Sequence, residues 1–313
     1  MSRSIRVFAP ATVANIICGY DILGFAVDQP GDEVLMRLTN ESGVQIKKIS
    51  GDEGRLPLDP AKNTVSASVQ HYLNHIGKAD QGVEIELFKK MPIGSGLGSS
   101  SASTVAGLFA INTLFDNLLS PEKLVPFAMK GEELACGTGH ADNVAPSLLG
   151  GVTLIRSYEP LDIIKLPYPE QLHCAIIFPH VDVPTRDARQ MIRNKVLLKD
   201  AVTQWGNIAG LVSGFFMKDM DLIGRSMRDV LIEPTRAILI PSFYMMRRLA
   251  MENGAFSFGI SGSGPSVFAF TPDQQKAEQI NTKIRKHLHS LDITCNTYQS
   301  PINATGPRII VDR

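Results

Sequence analysis

The chain has 313 residues, of which 44% are hydrophobic and 20% charged, and its 31 Lys+Arg balance its 31 Asp+Glu. This is the composition of an ordinary globular protein, large enough for two domains. A zero net charge argues against a nucleic acid as main partner, because gripping a phosphate backbone takes a clustered positive excess. The absence of any apolar run of about 18 residues excludes a spanning helix.

Arg3 and Arg6 precede apolar sequence, and Ala9-Pro10-Ala11 imitates a cleavage site, but too few apolar residues come before it to form the core of a signal peptide. The expected location is cytoplasmic. Cys18, Cys136, Cys174 and Cys295 are widely spaced and form no metal-ligand pattern, so free buried thiols are expected.

In chain order, Ser4–Ala9, Val34–Leu38, Val44–Ile49 and Val83–Lys89 read as strands, the last alternating Val83, Ile85, Leu87 against Glu84, Glu86, Phe88. Helices are expected over Thr64–Ile76 and Ser99–Phe115, from Pro121 to about Cys136, and near Asn143–Leu149, with a strand at Val152–Arg156. Pro160, Pro167 and Pro169 mark 157–171 as a boundary or linker, which divides the chain into 1–160 and 161–313.

Beyond it come a strand at Cys174–Phe178, helical stretches from Asp187 to Val230 and from Ser242 to Asn253, and strands Ala255–Ile260 and Val267–Thr271. A polar surface helix ends near Ser290 and carries Lys283, Arg285, Lys286, His287 and His289 as a solvated face, and strands Thr294–Gln299 and Arg308–Val311 close the chain. The elements do not alternate cleanly, so the expected class is α+β.

The most informative segment is MPIGSGLGSSSAS, Met91 to Ser103, between a strand and a helix. Gly94, Gly96 and Gly98 let backbone approach a ligand closely, and Ser99, Ser100 and Ser101 open the helix. Unpaired N–H groups, the positive helix end and hydroxyl donors then surround one point, which suits a polyphosphate. A serine-capped helix after a flexible turn needs fewer glycines and serines. No Lys follows the glycines as a Walker A loop demands, and a dinucleotide fingerprint would need Gly at position 99. Another cation must therefore neutralise the phosphates, and Mg²⁺ held by a serine hydroxyl and a carboxylate is the economical answer.

PIGSGLGSSSA resembles the phosphate loop of the GHMP small-molecule kinases, named from galactokinase, homoserine kinase, mevalonate kinase and phosphomevalonate kinase. APATVANIICGYDILGFA near the start and GISGSGPSVFAF near the end resemble the family's outer motifs, so the likeness spans the chain. It implies a two-domain fold with the nucleotide and substrate site between the domains. The segments ANIICGYD, GEELACGTGHADNVAP, PTRDAR and EPTR are most similar to the homoserine kinase branch. Ile17-Cys18 departs from it, standing where a glycine and then a small residue or proline is expected.

The resemblance implies ATP, L-homoserine and Mg²⁺ as ligands. Pro92, Ile93, Gly94, Ser95, Gly96, Leu97, Gly98, Ser99, Ser100, Ser101 and Ala102 would wrap the phosphates, with Asn63 on the nucleotide side. Ser100 and Glu132 would hold the metal, while Glu133 reads as a surface residue. Arg189 and Arg236 match positions that bind the substrate carboxylate, for which guanidinium forks are well suited. Asn15 and Asp21 would grip the ammonium, Asn143 would orient the hydroxyl, and His140 and Thr185 would complete the pocket. Asp142 is the nearest match to the base that some members use, although a loose transition state lets positioning suffice without one.

The second glycine cluster, Gly259 to Ser266, would close the site against the phosphate loop, with Gly262 near substrate. The likeness extends to a homodimer. Another GHMP substrate, mevalonate-like or sugar, and a catalytically silent nucleotide-binding regulator are the alternatives.

Overall fold

The computed structural model describes residues 3–137, 139–183, 190–193 and 195–310. Among them, one sheet runs in the order β11-β1-β2-β4-β3, where β1 is Ser4–Ala14, β2 Leu23–Thr39, β3 Val44–Ser50, β4 Gly82–Phe88 and β11 Arg308–Ile309. β5 (Val152–Tyr158) pairs with β2, and β6 (Leu161–Leu166) pairs with β5. A second sheet has the order β10-β7-β9-β8, with β7 His173–Pro179, β8 Ser257–Ile260, β9 Val267–Thr271 and β10 Cys295–Pro301. All pairs are antiparallel except β3 with β4. The expected α+β class is thus the observed one.

Three helices, α1 (Thr64–His75), α2 (Ser99–Leu114) and α4 (Ala141–Leu149), pack on the first sheet, and α3 (Pro121–Cys136) packs on these helices. α2 is buried on nearly every side, from Ser101 through Leu114, and touches α1, α3, α4, β1 and β2. A helix without a solvent face is a core element, so its N-terminus is held firmly. The alternation read in β4 is real: Val83, Ile85 and Leu87 are buried while Glu84, Glu86 and Phe88 are half-exposed.

The two sheets share one core, in which the Phe25 ring lies 5.7 Å from Phe268 and 5.0 Å from Phe270. A smaller core lies between the second sheet and the helices Phe243–Glu252 and Gln274–His289. The basic residues near the end of the latter face solvent, with His287 half-buried against Ser242.

Some readings are corrected. The stretch 157–171 is no linker: 161–166 forms β6, whose three prolines lie outside it, and the division at 160/161 falls between two strands of one sheet. β11 also carries the end of the chain back to β1. Of the helical stretch expected from Asp187 to Val230, Leu198–Met217 and Met220–Ser226 are regular helix, 191–193, 195–197, 218–219 and 227–230 lie outside it, and 187–189 and 194 lie outside the described residues. Cys18 and Cys174 are buried free thiols, but Cys295 is only half-buried.

Candidate active site

The glycine-serine loop folds against α2 through three glycines with positive φ, at 74° for Gly94, 77° for Gly96 and 66° for Gly98. Gly98 is itself the left-handed N-cap of α2, so no serine side chain caps this helix. A Cβ at Gly98 would stand 2.2 Å from Thr12 Oγ1 and 2.8 Å from Asn143 Oδ1, so the position admits glycine alone. The first amides of α2 lack intrahelical acceptors, and Ser99, Ser100 and Ser101 line a cavity of about 970 Å³.

The second glycine cluster packs on this loop. Ser261 Oγ donates to the Gly96 carbonyl at 2.7 Å, and Ser266 N donates to the Ser95 carbonyl at 3.2 Å. Leu97 and Ala102 are fully buried, so their side chains anchor the loop in the core and only their backbone is available to a ligand. Asn63 lines the cavity, yet its amide is already used: Oδ1 accepts from Val65 N and caps α1, and Nδ2 donates to the Pro57 carbonyl.

Ser100 Oγ donates to Glu132 Oε1 at 2.8 Å. Glu132 is only 5% exposed, and burial pushes its carboxyl above the usual carboxylate range, with the Ser100 hydroxyl acting in the opposite direction. A buried carboxylate beside a hydroxyl at the mouth of an anion site is a hard-oxygen pair that a divalent cation would satisfy. Glu133 is exposed and pairs with Lys130, as read from the sequence.

The same cavity is also lined by Asn15, Asp21, His140, Asp142, Asn143, Arg236 and Gly262. Asn15 Nδ2 and an Arg236 guanidinium nitrogen donate to the Gly262 carbonyl, at 2.9 and 3.0 Å. Asn15 Oδ1 accepts from Asp21 N at 3.0 Å, so Asn15 holds the turn that aims Asp21. His140 Nδ1 lies 3.9 Å from Asp21 Oδ1. Thr12 Oγ1 donates to Asn143 Oδ1 at 2.7 Å, which turns the amide nitrogen of Asn143 away from Thr12. Thr185 and Arg189 lie outside the described residues.

The departure at Ile17-Cys18 is built into the turn. Asn15, Ile16, Ile17 and Asp21 all have positive φ, a costly state for the β-branched pair. Ile17 is accommodated because a Cβ at Gly259 would lie 2.4 Å from Ile17 Cγ1, where glycine leaves room.

Sequence reasoning missed Thr12, Tyr20, Asp32 and Lys89. Thr12 and Tyr20 lie inside a motif that was recognised, so their spacing was available, whereas Asp32 and Lys89 are charges in strand-like sequence, each followed by a second of the same sign, and belong to no motif. The Arg236 guanidinium stacks over the Tyr20 ring at 5.1 Å.

The GHMP kinases N-terminal domain model matches residues 63–151 and the GHMP kinases C-terminal model matches 208–290. A homoserine kinase from Chloroherpeton thalassium is 43% identical to this chain, the match covering 98% of this chain and 100% of that protein. The crystal structure of a homoserine kinase from Cytophaga hutchinsonii superposes with a TM-score of 0.96 at 55% identity, covering 98% of this chain and 97% of the other. The L. major mevalonate kinase in complex with R-mevalonate shares the fold at a TM-score of 0.72 and 13% identity, covering 97% of this chain and 98% of the other.

Proposed function

The chain belongs to the GHMP kinases, in their homoserine kinase branch, and from that premise we propose that it transfers the γ-phosphoryl group of ATP to the side-chain hydroxyl of L-homoserine. The products are ADP and O-phospho-L-homoserine, a step toward threonine. The observation that carries this reading is one cavity lined both by the N-terminus of α2, which suits an anion, and by an acid, an arginine and a histidine, Asp21, Arg236 and His140.

The phosphates lie along the loop, where the amides at the start of α2 stabilise charge in place before the reaction. Ser100 and Glu132 would hold Mg²⁺. When bound, the ion neutralises phosphate charge, which replaces the cation that a Walker A lysine supplies. Ionised Glu132 gains a partner in this arrangement, and the cost of its burial is offset.

Arg236 and Arg189 bind the homoserine carboxylate, and Asp21, set by Asn15, receives the ammonium. Asn143 orients the hydroxyl toward the γ-phosphorus, and His140 and Thr185 complete the pocket. Asp142 borders the reacting end, but in a loose transition state the hydroxyl proton leaves late, to a phosphate oxygen or solvent, and no base is obligatory. The enzyme works in the cytoplasm; no helix among the described residues is long and apolar enough to cross a membrane. A homodimer is supported by the exposed Leu198, Val202 and Trp205 on one helix.

Replacing Arg189 with Leu tests the substrate end: the homoserine KM rises strongly while ATP binding holds, and an unchanged KM contradicts the assignment.

A further inference from the structure

Beneath the phosphate loop lies an ion pair that the proposed chemistry does not use. Lys89, one residue past β4, and Asp32, on β2, are in salt-bridge contact with side chains only 3% and 0% exposed. Lys89 borders the cavity and is a basic residue close to the expected phosphates, so it resembles the missing phosphate-binding lysine. Its hydrogen bonds exclude that role. An ammonium has three N–H donors, and those of Lys89 meet Asp32 Oδ2, the Ser99 carbonyl at 2.9 Å and Ser103 Oγ at 2.7 Å.

Asp32 is equally engaged. Its Oδ1 accepts from the backbone N–H groups of Lys90 and Met91 at 2.9 and 3.2 Å, where the chain enters the loop. Its Oδ2 accepts from the hydroxyls of Ser99 and Ser103 at 3.0 and 2.9 Å, where the chain leaves the loop as α2. One carboxylate from a third segment therefore ties down both ends of the glycine loop.

We propose that Asp32 and Lys89 are positioning residues, a buried clamp that fixes the phosphate loop in its anion-binding shape, and that Lys89 makes no contact with phosphate. The inference rests on the reading of this loop as the nucleotide site. Charge explains why the two occur together: Asp32 alone would be an uncompensated buried charge, and Lys89 neutralises it while supplying two further bonds to α2. A loop rich in glycine has large conformational freedom to lose on ordering, and each bond at its ends removes part of it before ATP arrives.

The mild variant is Ser103→Ala, which removes one leg and leaves both charges. In the ligand-free protein it should speed amide hydrogen exchange over 91–101 by about 3- to 10-fold, one hydrogen bond's worth, and leave the second sheet unaffected. The KM for ATP should rise by a similar factor while the homoserine KM changes less than about twofold. Asp32→Asn and Lys89→Met should both weaken ATP binding, and the double variant should be no worse than the worse single, because the residues act as one unit. Unchanged loop exchange in Ser103→Ala overturns the clamp, and so does loss of ATP binding in Lys89→Met with Asp32→Asn unaffected, which would make Lys89 a phosphate ligand. If the charge variants do not fold, the Ser103→Ala exchange decides. A wild-type protein that binds no ATP contradicts the proposed function, while the ligand-free exchange still decides the clamp.

Discussion

The Ser100 hydroxyl donates to Oε1 of Glu132 across 2.8 Å, joining the first turn of α2 to α3 at the edge of the cavity. If this pair holds Mg²⁺ against the phosphates, Glu132→Gln should lower kcat by about 10²- to 10³-fold, the usual cost of removing one fixed transition-state stabiliser. Ser100→Ala should cost less, and its loss should shrink as Mg²⁺ is raised. Steady-state rates across a Mg²⁺ series check both, and a Glu132→Gln enzyme with wild-type kcat removes Glu132 from the metal site.

The same carboxylate carries a stability cost without metal. Burial raises the folded-state pKa of Glu132 above its unfolded value, so the folded state binds more protons between the two values and stability falls as pH rises through that window. Glu132→Gln should therefore have the higher Tm at neutral pH in metal-free buffer, with the gap closing as pH falls below the ordinary glutamate range. Calorimetry as a function of pH reads this directly, and a gap that widens on acidification contradicts it.

Gly98 is the loop glycine whose replacement has the clearest cost. Its left-handed φ penalises any L side chain by roughly 1–2 kcal/mol, and the clash with Thr12 and Asn143 adds to that. Gly98→Ala should lose at least this much in denaturant unfolding. It should also displace Asn143 enough to depress kcat, whereas Gly94→Ala, where a Cβ meets nothing within 4 Å, pays only the backbone term.

Tyr20 lies under the Arg236 guanidinium, and a cation–π contact is worth about 0.5–2 kcal/mol. If it fixes the plane of Arg236, Tyr20→Leu should raise the homoserine KM by roughly 2- to 30-fold with little change for ATP, and Tyr20→Phe should keep most of the wild-type value. Equal effects of the two substitutions would assign the role to the hydroxyl.

The backbone of the glycine-serine loop was legible because glycines at 94, 96 and 98 and serines at 99–101 state a local requirement, and local requirements survive in a one-dimensional string. α2 and β4 were legible for the same reason, through apolar periodicity. β6 was not, since three prolines around Leu161–Leu166 resemble a linker until the pairing with β5 is seen. Asp32 and Lys89 were invisible because their meaning is a long-range meeting beneath a loop, and each alone looks like a surface charge. Asn15 stood out through its motif, but the contacts its amide makes with Asp21 N and the Gly262 carbonyl are ones that no spacing rule contains.

The most direct measurement is ADP release by the purified protein with Mg²⁺ and ATP, comparing L-homoserine with L-serine, L-threonine, mevalonate and galactose. Strong stimulation by L-homoserine alone, with phosphate appearing on its side-chain oxygen, is the predicted result. Stimulation by a different acceptor would keep the phosphate loop but contradict the roles of Arg236, Arg189 and Asp21, and ATP binding with no turnover on any acceptor would contradict the kinase assignment itself.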